Sequence, residues 1–143
     1  MTLPQIKIRK QSNKGSFEPK MKTLTDKLWE ITRQIVFVRH GTDCYTCPQI
    51  NLIGRNLQCG HGYPKGALGV SMQYDLRILR PQCARCNIFL GGMGTVFWKH
   101  LEQEIGKEAA DALFHECRAS KGNPIKARPY VMGLIEEYQK III

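Results

Sequence analysis

The chain has 143 residues, 43% of them hydrophobic, and no run approaches the roughly 20 apolar residues that a membrane-crossing helix requires. Its polar start, Met1 to Lys10, lacks the apolar segment of a secretory signal, so one modest, soluble, cytoplasmic domain is expected. A balance of 21 basic against 12 acidic side chains leaves a net charge of +9, which favours a polyanionic partner, the plainer reading being solubility alone.

Much of the charge excess lies at the start. Residues 1–22 carry Lys7, Arg9, Lys10, Lys14, Lys20 and Lys22 against Glu18 alone, interspersed with Gly, Ser and Pro. That composition fits a loosely held basic arm that tracks phosphates, and equally an ordinary solvated tail. Residues 23–143 read as a single domain. Leu28, Ile31, Ile35 and Val36 fall near helical spacing and predict a helix from Thr25, a candidate N-cap, to about Val38. The pair Cys44-Tyr45-Thr46-Cys47 follows. The stretch from Leu52 to Tyr63 and the run Tyr74 to Leu79 read as two strands, joined by a loop from Pro64 to Ser71 that holds Lys65.

A second pair, Cys83-Ala84-Arg85-Cys86, comes next, and the pattern then turns helical with interruptions at Gly91, Gly92 and Gly94. Phe97, Leu101 and Ile105 share one face of a helix over Thr95 to Ile105, which Gly106 should stop. Lys107 to Ser120 forms a further helix through Ala110, Leu113 and Phe114, broken by Gly122-Asn123-Pro124. A last helix from about Pro129 to Ile142 buries Val131, Leu134, Ile135 and Tyr138. The fold class expected is α+β with flanking helices.

Four soft thiolates in two C-x-x-C pairs suit a closed tetrahedral zinc site, each pair presenting both sulfurs to one ion from a tight turn. Without a signal peptide, six cysteines favour metal in a reducing compartment over disulfides. Cys59 and Cys117 are then left over as small buried hydrophobes. A simple zinc ribbon separates its pairs by roughly 15 to 20 residues. Here residues 48–82 intervene, room for two strands before a helix that begins at the second pair.

Between the pairs lies His61, at the end of the first expected strand, with an unperturbed pKa near 6.5 that leaves it largely neutral. Asn87 directly follows Cys86. Each has a plain reading, His61 as a hydrogen-bonded structural histidine and Asn87 as the cap of the helix beginning beside Cys86. Arg77, Arg80 and Arg85 cluster about the second strand and pair, and with Lys65 they are candidate phosphate contacts. His40, His100 and His115 lack ligand spacing. Trp29, Phe97 and Trp98 lie on amphipathic helices and read as core.

The run Gly60-His61, then Leu79-Arg80-Pro81-Gln82-Cys83-Ala84-Arg85-Cys86-Asn87, then Gly91-Gly92 and a helix ending in Ile105-Gly106, resembles the NinG (Rap) recombination proteins of lambdoid phages. These belong to the His-Me finger (HNH, ββα-metal) nuclease superfamily, and the resemblance covers roughly residues 28–115. The four cysteines and Asn87 also resemble phage endonuclease VII, a Holliday-junction resolvase. The resemblance implies a zinc-stapled, treble-clef-like ββα-metal core, with Cys44, Cys47, Cys83 and Cys86 on structural zinc. It further implies His61 as the base that activates water, and Asn87 as an amide-oxygen ligand to catalytic magnesium or another divalent ion.

Branched DNA, either Holliday junctions or forks, would be the substrate, and a homodimer would place two sites on symmetric strands. If the chain is phage-encoded, its compartment is the host cytoplasm. Three departures stand out. Gly60 replaces a residue that commonly ligates the ion, leaving Asp75, water or DNA phosphate to complete the shell. Ile78 stands where an Asn usually orients the base loop, so backbone groups should do the orienting. Met93 follows the Gly pair where Asn is frequent, and no cysteine precedes Cys44. Two functions from different classes are carried forward, a DNA endonuclease of phage recombination and a non-catalytic zinc module that binds nucleic acid.

Overall fold

In a computed structural model, residues 18–142 are described, and they form a mainly helical chain with one two-stranded sheet. Most of the basic arm, including Lys7, Arg9, Lys10 and Lys14, lies outside the described residues. Lys20 directly precedes α1 (Met21–His40), and Lys22 sits in its first turn. The chain continues through β1 (Gln58–His61), a short α2 (Val70–Gln73), β2 (Leu79–Gln82), α3 (Gly94–Ile105), α4 (Lys107–Ser120) and α5 (Ala127–Ile142). No helix among the described residues is long and apolar enough to cross a membrane.

Within the stretch read as one domain, 23–143, the chain divides into two compact units. Among the described residues, one combines those up to Ile35 with those from Lys126 onward; the other is Val36–Ile125. In the first, the stripe Leu24, Leu28, Ile31 and Ile35 of α1 is buried, as are Val131, Ile135 and Tyr138 of α5, while Leu134 is half-buried. Arg128 donates to the carbonyl of Pro19 at 2.7 Å. Helix α1 begins a turn earlier than its spacing predicted. Thr25 therefore does not cap it; its hydroxyl donates back to the Lys22 carbonyl at 3.1 Å, inside the helix.

In the second unit, β1 and β2 pair antiparallel with Gln58 opposite Gln82 and His61 opposite Leu79. Both strands are shorter than expected, and the second starts later. Asp75 explains the shift: its carboxylate accepts the Arg77 backbone N–H at 2.9 Å and turns Leu76–Ile78 into a 3-10 turn. The connection between strands is also more ordered than a plain loop, with a turn at Lys65–Ala67 followed by α2.

The end of α4 pins that connection. The Gly69 N–H donates to Ser120 Oγ at 2.8 Å and Lys121 Nζ to the Gly66 carbonyl at 2.6 Å. A Cβ on Gly69 would stand 2.3 Å from the Ser120 carbonyl oxygen, a backbone atom with little room to yield. Gly69→Ala is therefore expected to destabilise the protein by about 1–3 kcal/mol in denaturant unfolding. Gly66→Ala, where a Cβ meets nothing within 4 Å, serves as the near-neutral control.

The helix expected at the second cysteine pair is instead one wide π turn, Arg85–Phe89. It stops because Gly91, Gly92 and Met93 adopt φ of 65°, 89° and 54°, in the left-handed region that glycine enters without penalty. Only at Gly94 does α3 begin. Phe97 and Leu101 fill the core from it, whereas Ile105 is exposed. Gly106, with φ of 94°, ends α3 and opens α4. From α4, Ala110, Leu113 and Cys117 are buried, and Phe114 remains 39% exposed.

Candidate metal centre and its neighbours

Two tight turns bring the four paired cysteines together. The Cys44 N–H donates to the Gln49 carbonyl at 2.9 Å, and the Asn51 N–H, at a φ of 53°, reaches the Asp43 carboxylate at 2.9 Å, closing the first turn. The Sγ atoms of Cys44, Cys47, Cys83 and Cys86 all lie within 4.8 Å of one another and could hold a metal ion. Cys47 and Cys83 Sγ are 3.7 Å apart. Two sulfurs at a zinc–sulfur distance of about 2.3 Å and a tetrahedral angle stand about 3.8 Å apart, so the spacing suits zinc.

Backbone donors complete the sulfur environment. The Cys83 N–H points to Cys44 Sγ at 3.3 Å and the Cys86 N–H to Cys83 Sγ at 3.4 Å. Burial resists ionisation of Cys44, yet hydrogen bonds from Cys83 and Thr46 outweigh it and bring that thiol down to about 6. Burial and the neighbouring thiols push Cys86 up to about 12. The set thus begins with one easily formed thiolate, and a bound dication would offset the burial and crowding that oppose ionisation of Cys47 and Cys86. Leu52 seals the cluster, with Leu57 and Met93 against it.

His61 ends β1, half-buried. Its Nε2 lies 2.9 Å from the Gln73 carbonyl oxygen, which can only accept; in the neutral ring Nε2 therefore carries the hydrogen and Nδ1 keeps a lone pair. Burial lowers the pKa below 6.5 and the charge of Lys65 lowers it further, against the opposing pull of the Gln73 carbonyl. A second backbone contact fixes the exit from the strand, where the Gly62 N–H donates to the Ile78 carbonyl at 2.8 Å. Ile78 itself is fully buried.

Asn87 lies inside the π turn rather than at its cap, its N–H donating to the Cys83 carbonyl at 3.0 Å. Its side-chain Nδ2 donates to Gln58 Oε1 on β1 at 2.8 Å, which leaves Oδ1 to accept or to ligate. β1 links Asn87 to His61, through Gln58. Gly60, between these two strand positions, has a specific neighbour. A Cβ there would overlap Gln82 Oε1, so an acidic side chain at position 60 would displace that amide. Gln82 is fully buried, its Nε2 donating to Thr46 Oγ1 and the Gly92 carbonyl at 2.9 Å each, while Oε1 has no hydrogen-bond partner among the described residues.

Three of the sequence-derived candidates are engaged elsewhere. Asp75 is held bidentate by Arg77 Nε and Nη2 at 2.9 and 2.7 Å, not presented as a ligand. The same Asp75, with Glu116, keeps Arg77 firmly protonated and balances its charge. Arg80 is 4% exposed and acts as an internal brace, which corrects its reading as a phosphate contact. It pairs with Glu104 at 2.6 Å, donates to the carbonyls of Leu76, Arg77 and Leu79, and stacks over the Tyr45 ring. The four residues of β2 are all buried, so neither face of this strand is open to solvent.

Arg80→Met should cost about 1–3 kcal/mol in thermal unfolding, because three carbonyls lose their donor while the half-exposed Glu104 rehydrates. A phosphate contact would behave differently, changing the salt dependence of DNA binding instead. Arg85 and Lys65 remain on the surface, Arg85 on the turn beside Asn87 and Lys65 close enough to influence His61.

No family model, curated protein or solved structure matches this chain. Sequence reasoning overlooked Gln58 and Gln82, whose amides organise the space around Gly60, since an isolated Gln on a strand carries no spacing signal. It also treated Trp98 as core. Trp98 is half-buried, donates to the Gly62 carbonyl at 2.7 Å and faces a cavity, whereas Phe97 is fully buried as expected. His100 has a structural role, its Nδ1 lying 2.7 Å from the Tyr45 carbonyl.

Proposed function

We propose that the protein is a metal-dependent DNA endonuclease of the His-Me finger type, resembling the phage NinG recombination proteins and endonuclease VII, and acting on branched DNA. The observation that carries this reading is His61 at the end of β1, held through Nε2 by the Gln73 carbonyl so that Nδ1 is a neutral base, on a hairpin whose second strand leads into a four-cysteine cluster. In this reading the hairpin and the turn that follows it are a ββα-metal core, and zinc on the four cysteines staples it.

His61 Nδ1 takes a proton from the attacking water, and burial favours the neutral ring that can do so. Asn87 Oδ1 would hold a magnesium or similar ion, which when bound stabilises charge on the scissile phosphate and the leaving oxygen. Lys65 and Arg85 grip flanking phosphates, and the net charge of +9 draws the polyanion in. A two-fold dimer would place two such sites on the symmetric strands of a junction.

The occupation of the space over Gly60 by Gln82 favours a second reading, a zinc module that binds nucleic acid without cutting it. Incubation with labelled duplex, forked and four-way DNA, in magnesium or in EDTA, decides between them. The expected result is magnesium-dependent cleavage with forked and four-way DNA preferred. Binding without cleavage of any substrate would select the second reading.

A further inference from the structure

Immediately after His61, the chain enters the wall of a cavity of about 730 Å³. Three aromatic side chains build it: Tyr63 and Trp98 each meet Phe114 edge to face, with ring centres 5.4 and 5.2 Å apart. Lys99, Glu102 and Asp111 also line it. An apolar pocket of this size with a few convergent polar groups has the usual anatomy of a small-molecule site.

We infer that this pocket takes one unpaired nucleobase of a DNA strand; the inference deepens the endonuclease reading and rests on it for the identity of the ligand. A nucleobase offers flat apolar faces to aromatic walls and N–H groups to carboxylates, the two features that Phe114 and the pair Glu102 and Asp111 complement. The same carboxylates repel phosphate, so the base rather than the backbone enters, while Lys99 meets the negative strand outside. Trp98 contributes a face but no donor, because its indole N–H is engaged by the Gly62 carbonyl. A base in a matched duplex presents neither its faces nor its pairing edge. The pocket therefore selects DNA with unpaired nucleotides, and its place directly after His61 in the chain joins that selection to the candidate reaction centre.

The test is binding in EDTA, which reads the pocket without cleavage. Full-length Trp29→Phe protein, with Trp98 as its remaining tryptophan, is titrated with a short single-stranded oligonucleotide and with an abasic strand of equal length and charge. The expected result is quenching of Trp98 emission and tighter binding by the base-containing strand. Phe114→Ala, and Phe114→Leu, which retains apolar volume, should weaken that binding roughly 5- to 150-fold, the effect of losing one base–aromatic contact, and leave the abasic strand unaffected. Equal affinity for both strands with unchanged Trp98 emission would overturn the inference. So would Phe114→Leu protein that binds both strands as the wild type does. Cleavage of DNA by a protein that ignores the bases removes the pocket alone, whereas base-dependent quenching in a protein that cleaves nothing sustains the pocket and removes the endonuclease.

Discussion

Serine in place of Cys83 is expected to abolish zinc binding and to destabilise the protein by more than about 5 kcal/mol, enough to unfold a domain of this size. Cys83 is fully buried, lies 3.7 Å from Cys47 Sγ and accepts the Cys86 N–H, so its loss opens the cluster on two sides. The wild type should carry about one zinc per chain in a four-sulfur site by elemental analysis, and a strong chelator should reproduce the unfolding reversibly. Folded protein that contains no zinc and unfolds at the same temperature as the zinc-loaded form would refute the staple.

The second large effect concerns chemistry. His61→Ala should lower magnesium-dependent cleavage by roughly 100- to 10,000-fold, the usual worth of a positioned general base. Zinc content should stay the same, and stability should fall by about 1 kcal/mol for the lost hydrogen bond to Gln73. The wild-type rate should decline as pH falls, because protonation removes the lone pair at Nδ1, and the midpoint should lie below 6.5, since burial lowers the folded pKa. Stability follows the same sign. With its folded pKa below the unfolded one, this histidine disfavours the folded state progressively as pH drops through 6.5 and the unfolded chain takes up the extra proton. A cleavage rate unchanged in His61→Ala protein would place the base elsewhere.

Spacing made the cysteine cluster legible, because C-x-x-C fixes which sulfurs a turn can present together. Helix ends marked by glycine were equally plain: Gly106 stops α3 where its pattern ends, and Lys107–Ser120 matches its expected bounds. The errors came where local hydrogen bonding overrode apolar patterning. Asp75 turned an apolar run into a 3-10 turn, and three consecutive left-handed residues broke the helix after Cys86. Arg80 and Arg77 could not be distinguished from surface cations in sequence. Their fate depends on Glu104 and Glu116, more than twenty residues away, and charge alone does not show which arginine a fold will bury.

The clamp between Ser120 and Gly69 has a reach beyond packing. Ser120 accepts the Gly69 N–H and donates to the Cys117 carbonyl, so its hydroxyl ties the last turn of α4 to the residue that opens α2. Four residues further along that same short helix is Gln73, whose carbonyl fixes the hydrogen on His61. The tautomer of the candidate base is thus set from a distance, by whether the end of a helix that bears no candidate catalytic residue stays wound.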